Sequence, residues 1–408
     1  MSSKKIKIGI IREGKVPHDK RSPFTPEQCP RILQEFPNLE LVVQPSEWRS
    51  FKDSEYEAFG IKVQEDLSDC DVLMGVKEVP KPELIEGKKY FFFSHTIKKQ
   101  PHNRELLKTL LAKKIQMIDY ECLVDKHDNR IIGFGRFAGI VGAYNGIMAY
   151  GLKYNLFDLK PAQLCHDKKE LFKELEKVRL PNIKIVVTGG GRVANGACET
   201  MGALDLRKVT PYEFMNYTFR EPVYVQLHSE DYYDAKDGSA FSSWDFHHHP
   251  QEYRCRFSDP VSFAGVTDLL IHCTFWDPRA DILFTKARMR DPDFRISVIA
   301  DVTCDLNGSI PSTTQATTID NKFYGYDPMS EKVVEAFGKQ SITVMAVDNL
   351  PCELPRDASD GFGKHLMERV LPSLLGDDSD GVIDRASITK DGNLMPRFEY
   401  LRDYVEGK

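Results

Sequence analysis

Short apolar runs, separated by polar stretches with helical spacing, recur along the whole chain. Ile6-Lys7-Ile8-Gly9-Ile10-Ile11 alternates as a strand. Glu40-Leu41-Val42-Val43, Val72-Leu73-Met74-Gly75-Val76, Tyr90-Phe91-Phe92-Phe93 and Gln116-Met117-Ile118-Asp119 follow, with helical patterns such as residues 103–112 between them. Thr25-Pro26-Glu27-Gln28 opens a helix, because proline suits a first turn whose amide has no partner. Apolar strands alternating with helices predict an α/β fold with a parallel, doubly wound sheet. Residues 135–154 are small and apolar almost throughout and read as one helix, able to approach a neighbour closely and expected to lead into a second domain.

The second half repeats the pattern. Ile183-Lys184-Ile185-Val186-Val187-Thr188, Asp268-Leu269-Leu270-Ile271-His272-Cys273, Ile296-Ser297-Val298-Ile299-Ala300-Asp301 and Ile342-Thr343-Val344-Met345-Ala346-Val347 read as strands, and residues 361–375 as a closing helix. Residues 217–258 have neither period and are rich in aromatic and polar residues, so they read as an irregular insertion or active-site loop. Within them, His247-His248-His249 reads as surface or loop rather than as a metal site, since adjacent residues seldom converge on one ion.

At 408 residues the chain exceeds the usual size of one core, so two domains are expected. Fifty-five basic residues against 61 acidic ones give a net charge of -6, which argues against a nucleic-acid or acidic-membrane partner. The start enters a strand without a signal-peptide core, and no run of about 18 apolar residues occurs, so a cytoplasmic protein is expected. Nine scattered cysteines, with no C-x-x-C pair, read as reduced thiols, and no metal is expected.

The apolar run ending at Thr188 leads into Gly189-Gly190-Gly191-Arg192-Val193-Ala194-Asn195-Gly196, and a helical pattern continues to Leu204. Strand, glycine turn and helix is the context in which a backbone can approach a pyrophosphate at a helix N-terminus. A dinucleotide is the first hypothesis, with Gly189, Gly191, Arg192, Val193 and Ala194 as its contacts. Asp301 and Asp348 follow strands where a ribose or substrate could bind, and Thr210 and Thr274 complete the candidate contacts.

Such a cofactor needs proton-handling partners. Lys77 directly follows one apolar run and His95 another, where open α/β sheets place their ligand crevice. A lysine there can be partly desolvated toward a neutral pKa, and histidine is matched to proton transfer near pH 7. Glu121 ends a third strand and could orient or balance Lys77 through a carboxylate–ammonium contact, a structural carboxylate being the alternative. The charged loop of residues 12–21 offers cations for a carboxylate substrate.

Together with Gly75-Val76-Lys77, the motifs Phe92-Phe93-Ser94-His95-Thr96-Ile97-Lys98, Ile118-Asp119-Tyr120-Glu121, Gly135-Arg136-Phe137-Ala138-Gly139 and Val347-Asp348-Asn349-Leu350-Pro351 resemble the alanine dehydrogenase, transhydrogenase and saccharopine dehydrogenase superfamily. The likeness extends over nearly the whole chain and is greatest to the lysine-2-oxoglutarate reductase domain of the bifunctional lysine-degrading enzyme, whose second catalytic half is not in this sequence. The resemblance implies two Rossmann-like doubly wound domains with a cleft between them. Residues 1–140 with 340–408 would form the substrate domain, and residues 141–339 the dinucleotide domain. It makes Lys77 and His95 an acid/base pair and Arg21, Glu121 and Arg130 substrate contacts.

The implied reaction is hydride transfer at a C–N bond, interconverting saccharopine with lysine and 2-oxoglutarate, or a close analogue. Lys77 would deprotonate the amine or water, and His95 would protonate the departing oxygen. Alanine dehydrogenase-like amination of pyruvate and non-catalytic dinucleotide sensing are the alternatives. The cofactor is NAD or NADP: Leu206-Arg207-Lys208-Val209-Thr210, read as the second cofactor-domain strand, ends without the acidic residue usual in NAD sites.

Overall fold

The computed structural model describes residues 5–408. Its strands are β1 (Ile6–Ile10), β2 (Leu39–Val43), β3 (Lys62–Val63), β4 (Val72–Met74), β5 (Lys89–Phe92), β6 (Gln116–Asp119), β7 (Lys184–Thr188), β8 (Arg207–Lys208), β9 (Val223–Leu227), β10 (Tyr233–Ala235), β11 (Tyr253–Cys255), β12 (Leu269–His272), β13 (Val298–Asp301), β14 (Phe323–Asp327), β15 (Lys332–Val334), β16 (Ile342–Met345), β17 (Ser387–Lys390) and β18 (Asn393–Leu394). The helices that position the site are α1 (Gly135–Tyr154), α2 (Arg192–Ala203), α3 (Pro211–Asn216) and α4 (Pro355–Arg369).

The chain divides into two units. The first runs through Phe134 and resumes with Pro355–Lys408; the second is Gly135–Leu354. In the first, an eight-stranded sheet has the order β18-β17-β6-β5-β4-β1-β2-β3, parallel from β6 to β3 and closed by two antiparallel strands from the C-terminal segment. Apolar residues such as Val42, Leu73, Tyr90, Phe92 and Met117 fill one side of it. Because the strands are parallel and mostly central, their apolar runs are near-continuous, and their C-terminal ends align along one edge of the sheet. Lys77 and His95 follow adjacent strands, β4 and β5, on that edge.

The second unit holds another eight-stranded sheet, in the order β15-β14-β16-β13-β12-β7-β9-β8, parallel from β16 to β8. Here α1 crosses α2 with almost no side chain between them. A Cβ on Gly139 would lie 1.8 Å from the Val193 carbonyl oxygen, and one on Gly196 2.0 Å from that of Arg136.

Three expectations change. Residues 340–354 lie in the second unit, since Ile342–Met345 pairs in parallel with β13. Helix α1 belongs wholly to the second unit. Residues 217–258 are not irregular: they contain β9, the β10–β11 hairpin and a short helix, Ser243–His248. Its buried aromatics, including Tyr232, Tyr233, Tyr253 and Phe257, pack as a cluster in three dimensions and leave no linear period in the sequence. Among the described residues, no helix is long and apolar enough to cross a membrane.

Candidate functional site

In the first unit the ends of β1, β4, β5 and β6 bring together the predicted proton-handling residues and several that were missed. Lys77 is half-buried. Desolvation, together with the nearby Arg21 guanidinium, holds its ammonium below the usual lysine range, while Asp19 and Glu78 act in the opposite direction. A cation so placed gives up its proton more readily than an exposed lysine.

His95 carries a left-handed φ of 54°, a conformation that costs a non-glycine residue energy and is kept only where the surroundings enforce it. Its Nδ1 lies 2.8 Å from Glu78 Oε1. Burial opposes ionisation of Glu78, but hydrogen bonds from His95 and Lys15 outweigh it and hold the carboxyl at about 2. The carboxylate can only accept, so Nδ1 donates and Nε2 is left as the proton-exchanging nitrogen. The second Glu78 oxygen takes Lys15 Nζ at 2.7 Å.

Asp119, at the end of β6, orders the neighbouring loops. One carboxylate oxygen accepts from the backbone and side chain of Ser94, beside His95, and the other from the amide of Glu121 at 2.7 Å. Arg21 forms a buried, two-pronged pair with Asp19, with Nε and Nη2 at 2.9 and 2.6 Å from the two oxygens. Burial raises the Asp19 carboxyl, but the guanidinium's charge and hydrogen bonds carry it well below the ordinary range. The Arg21 guanidinium stacks 4.2 Å over Phe134, which stacks on Phe362 of α4. Arg130 lies 5.4 Å over Phe93, which adjoins Phe134. The two arginines expected to meet a substrate thus flank one aromatic cluster.

Glu121 differs from expectation. Its Oε1 faces Lys98 at 3.6 Å and Arg130 at 3.9 Å, and Lys77 instead has Asp19 and Glu78 as its carboxylate neighbours. The reason is local: Asp119 captures the Glu121 amide and starts a short 3-10 turn there, which turns the side chain toward Lys98 and Arg130. The cations of the loop of residues 12–21 do not by themselves single out Glu13 and Asp19, nor does Lys77 single out the adjacent Glu78. Their carboxylates, within or beside the motifs already singled out, were the available signal.

In the second unit Gly189 has a φ of +97°, and a Cβ on it would lie 3.1 Å from Thr274 Oγ1, so the turn needs glycine. A Cβ on Gly190 would lie 2.6 Å from the His228 ring, while one on Gly191 would enter open space. Gly191 and Arg192 are exposed at the N-terminus of the 12-residue α2, the end of a helix that favours an anion. Ala194 is buried under the turn, and the Val193 side chain approaches the position of a Gly135 Cβ at 3.2 Å, so these two residues can meet a ligand only through their backbone. The pattern of glycines, open space and amides fits a pyrophosphate.

The remaining cofactor candidates separate. Thr274 borders Gly189. Asp348 is exposed after β16. Asp301 is buried, with Oδ1 accepting from Thr303 Oγ1 at 2.7 Å and Oδ2 from Thr313 Oγ1 at 2.7 Å, so it ties the following loop together and is not presented to a ligand. Thr210 follows the edge strand β8 and caps α3 by accepting from the Glu213 amide. Between β7 and the run 206–210 stands β9, so the ribose end of a dinucleotide would meet the residues after Leu227.

Comparison with known proteins matches residues 9–141 to the family described as alanine dehydrogenase/PNT, N-terminal domain. The chain is 27% identical over 444 residues to alpha-aminoadipic semialdehyde synthase of Arabidopsis thaliana, covering 97% of this chain and 41% of that protein. It is 26% identical over 392 residues to the NAD(+), L-lysine-forming saccharopine dehydrogenase of Yarrowia lipolytica, covering 91% and 92%. Among solved structures, an L-alanine dehydrogenase matches with a TM-score of 0.64 at 16% identity, covering 98% of this chain and all of that one. The chain therefore has the alanine dehydrogenase fold and relatives in the saccharopine dehydrogenase group, as its motifs imply. It spans less than half the length of the semialdehyde synthases it matches.

Proposed function

We propose that this chain is an oxidoreductase acting on a C–N bond, interconverting saccharopine, or a close analogue, with lysine and 2-oxoglutarate by means of a nicotinamide dinucleotide. The observation that carries the reading is the pairing of a desolvated Lys77 with a Glu78-oriented His95 on adjacent strand ends, beside the buried Asp19–Arg21 pair. The first unit is assigned substrate handling, and the second dinucleotide binding through Gly189, Gly191, Arg192 and the amides of α2.

Lys77, held below its usual range, accepts a proton from the incoming amine, which frees the nitrogen lone pair to attack the oxo carbon. His95 donates from Nε2 to the carbinolamine oxygen so that it departs as water, and Glu78 stabilises the ring through Nδ1. Arg130 supplies a guanidinium fork suited to a carboxylate of such a substrate, and Arg21, held two-pronged by Asp19, adds positive charge beside it; the aromatic faces beneath them limit their orientation. The bound dinucleotide supplies hydride chemistry. In reverse, the same groups add water and release the amine.

The dinucleotide is assigned as NADP. Lys208 Nζ donates to Gln226 Oε1 at 2.8 Å, and Gln226 Nε2 donates to the Gly189 carbonyl at 3.0 Å, so an ammonium stands two hydrogen bonds from the glycine turn. His228 follows β9 where an NAD site usually carries a carboxylate, and the nearby Asp231 is occupied by the His228 amide.

The test follows NADPH and NADH oxidation with 2-oxoglutarate plus lysine and, separately, pyruvate plus ammonia. Turnover with lysine supports the proposal. Turnover only with ammonia replaces it with an alanine dehydrogenase reading, and dinucleotide binding with no turnover for any amine and oxo-acid pair replaces it with a sensing role.

A further inference from the structure

Strand β4 ends at Met74, yet the chain beyond it stays ordered up to Lys77. On one side the β5 extension continues the ladder, with Gly75 donating to the Phe91 carbonyl and Phe93 donating to that of Val76. On the other side the backbone of β1 makes its last bond when Ile11 donates to the Met74 carbonyl. Past that point a side chain takes over. Glu13 Oε1 accepts from the Val76 amide at 2.6 Å and Oε2 from the Lys77 amide at 2.8 Å.

Two further features belong to this contact. A Cβ on Gly75 would stand 2.8 Å from the Ile11 side chain and 3.3 Å from Glu13 Oε1, so glycine leaves room for the carboxyl to reach the strand. A Cβ on Gly14 would stand 2.7 Å from the Pro80 ring, which places the loop after Glu13 tightly against the segment carrying Lys77. Glu13 is itself buried, and burial together with the Asp19 charge pushes its carboxyl up to about 8, although the Lys77 and Val76 amides and the Arg21 guanidinium act in the opposite direction; both oxygens are nonetheless held by those two convergent amides.

We propose that Glu13 is the positioning residue for Lys77: by holding two consecutive amides it fixes the peptide from which the lysine projects, and so sets where the ammonium lies relative to Asp19 and Arg21. The catalytic consequence rests on the function proposed above. The positioning itself does not, and is measured separately. Replacing Glu13 by Gln turns one acceptor into a donor that faces an amide N–H, so one of the two bonds cannot form.

The experiment has two arms. In the unaltered protein, amide hydrogen exchange at Val76 and Lys77 is expected to be slowed by about 100-fold or more relative to an unstructured peptide, as for hydrogen-bonded interior amides. Exchange at the rate of open loop amides overturns the proposal, and this arm needs no variant to fold. In the second arm, acetylation by acetic anhydride, read by mass spectrometry, compares Lys77 with the exposed Lys126 in wild type and Glu13→Gln. A change of about threefold or more in the Lys77 to Lys126 ratio is expected, together with a fall in kcat of about 10-fold or more and an unchanged KM for the dinucleotide, the split that marks lost positioning rather than lost binding. An unchanged ratio in folded Glu13→Gln overturns the proposal. A changed ratio in a protein that never turned over lysine and 2-oxoglutarate leaves the positioning role standing and removes the proposed function instead.

Discussion

Glu78 and His95, 17 residues apart in sequence, meet at 2.8 Å because β4 and β5 run side by side and end at the same level. The contact selects the tautomer in which Nε2 exchanges protons, and Lys15 on the other Glu78 oxygen keeps the carboxylate in place. Glu78→Gln keeps the shape but removes the charge, so the imidazolium formed during turnover loses its partner. A fall in kcat on the order of 100-fold, with dinucleotide affinity unchanged, is expected from steady-state kinetics and fluorescence titration.

Lys77→Met removes the proton acceptor while keeping most of the apolar stem. Turnover should fall by roughly 100- to 10,000-fold, the usual range for a lost general acid or base. Binding of NADPH to the isolated variant should match wild type, because the glycine turn and α2 lie in the other unit. Undiminished turnover would exclude Lys77 from the chemistry.

Asp19 and Arg21 are both buried and doubly bonded. Asp19→Asn strands a guanidinium among aromatic rings, which should cost about 3–5 kcal/mol in urea unfolding. The pH dependence carries the same sign for Asp19 and Glu78, whose carboxyls are both held below their ordinary range. Their stabilisation is fully present above the ordinary carboxylate range and is lost as pH falls through their folded values. Urea midpoints should therefore decline from about pH 4.5 toward pH 2. The decline should be shallower in Asp19→Asn.

Gly139 and Gly196 allow α1 and α2 to touch backbone to backbone. Gly139→Ala inserts a methyl where a carbonyl oxygen already stands, and a loss of about 3 kcal/mol, the upper end for overpacking, is expected by chemical denaturation. Since α2 begins at the glycine turn, dinucleotide affinity should fall with it. Gly202→Ala, on the same helix with no atom within 4 Å of the added Cβ, is the matched control.

Lys208→Glu reverses a charge that stands two hydrogen bonds from the glycine turn. If the cofactor is NADP, the ratio of NADPH to NADH affinity should drop by at least about 10-fold, the loss of one charge-assisted contact of about 1.5 kcal/mol. An unchanged ratio would place the ribose phosphate elsewhere.

The sequence alone determined the strand, turn and helix around Gly189–Gly196, the single helix at Gly135–Tyr154, and the placement of Lys77 and His95 at strand ends. These follow from local information: a strand or helix shows its period over a few residues, and a glycine turn needs its glycines wherever it stands. Tertiary structure decided the rest. The order of strands put β9, rather than the run 206–210, beside β7. Packing enclosed Asp301 among Thr303 and Thr313 and turned Glu121 toward Lys98. It also gave Lys77 its support from Glu13, 64 residues earlier. Strand order and buried side-chain hydrogen bonds depend on which distant segments share an interior, and no local period records that choice.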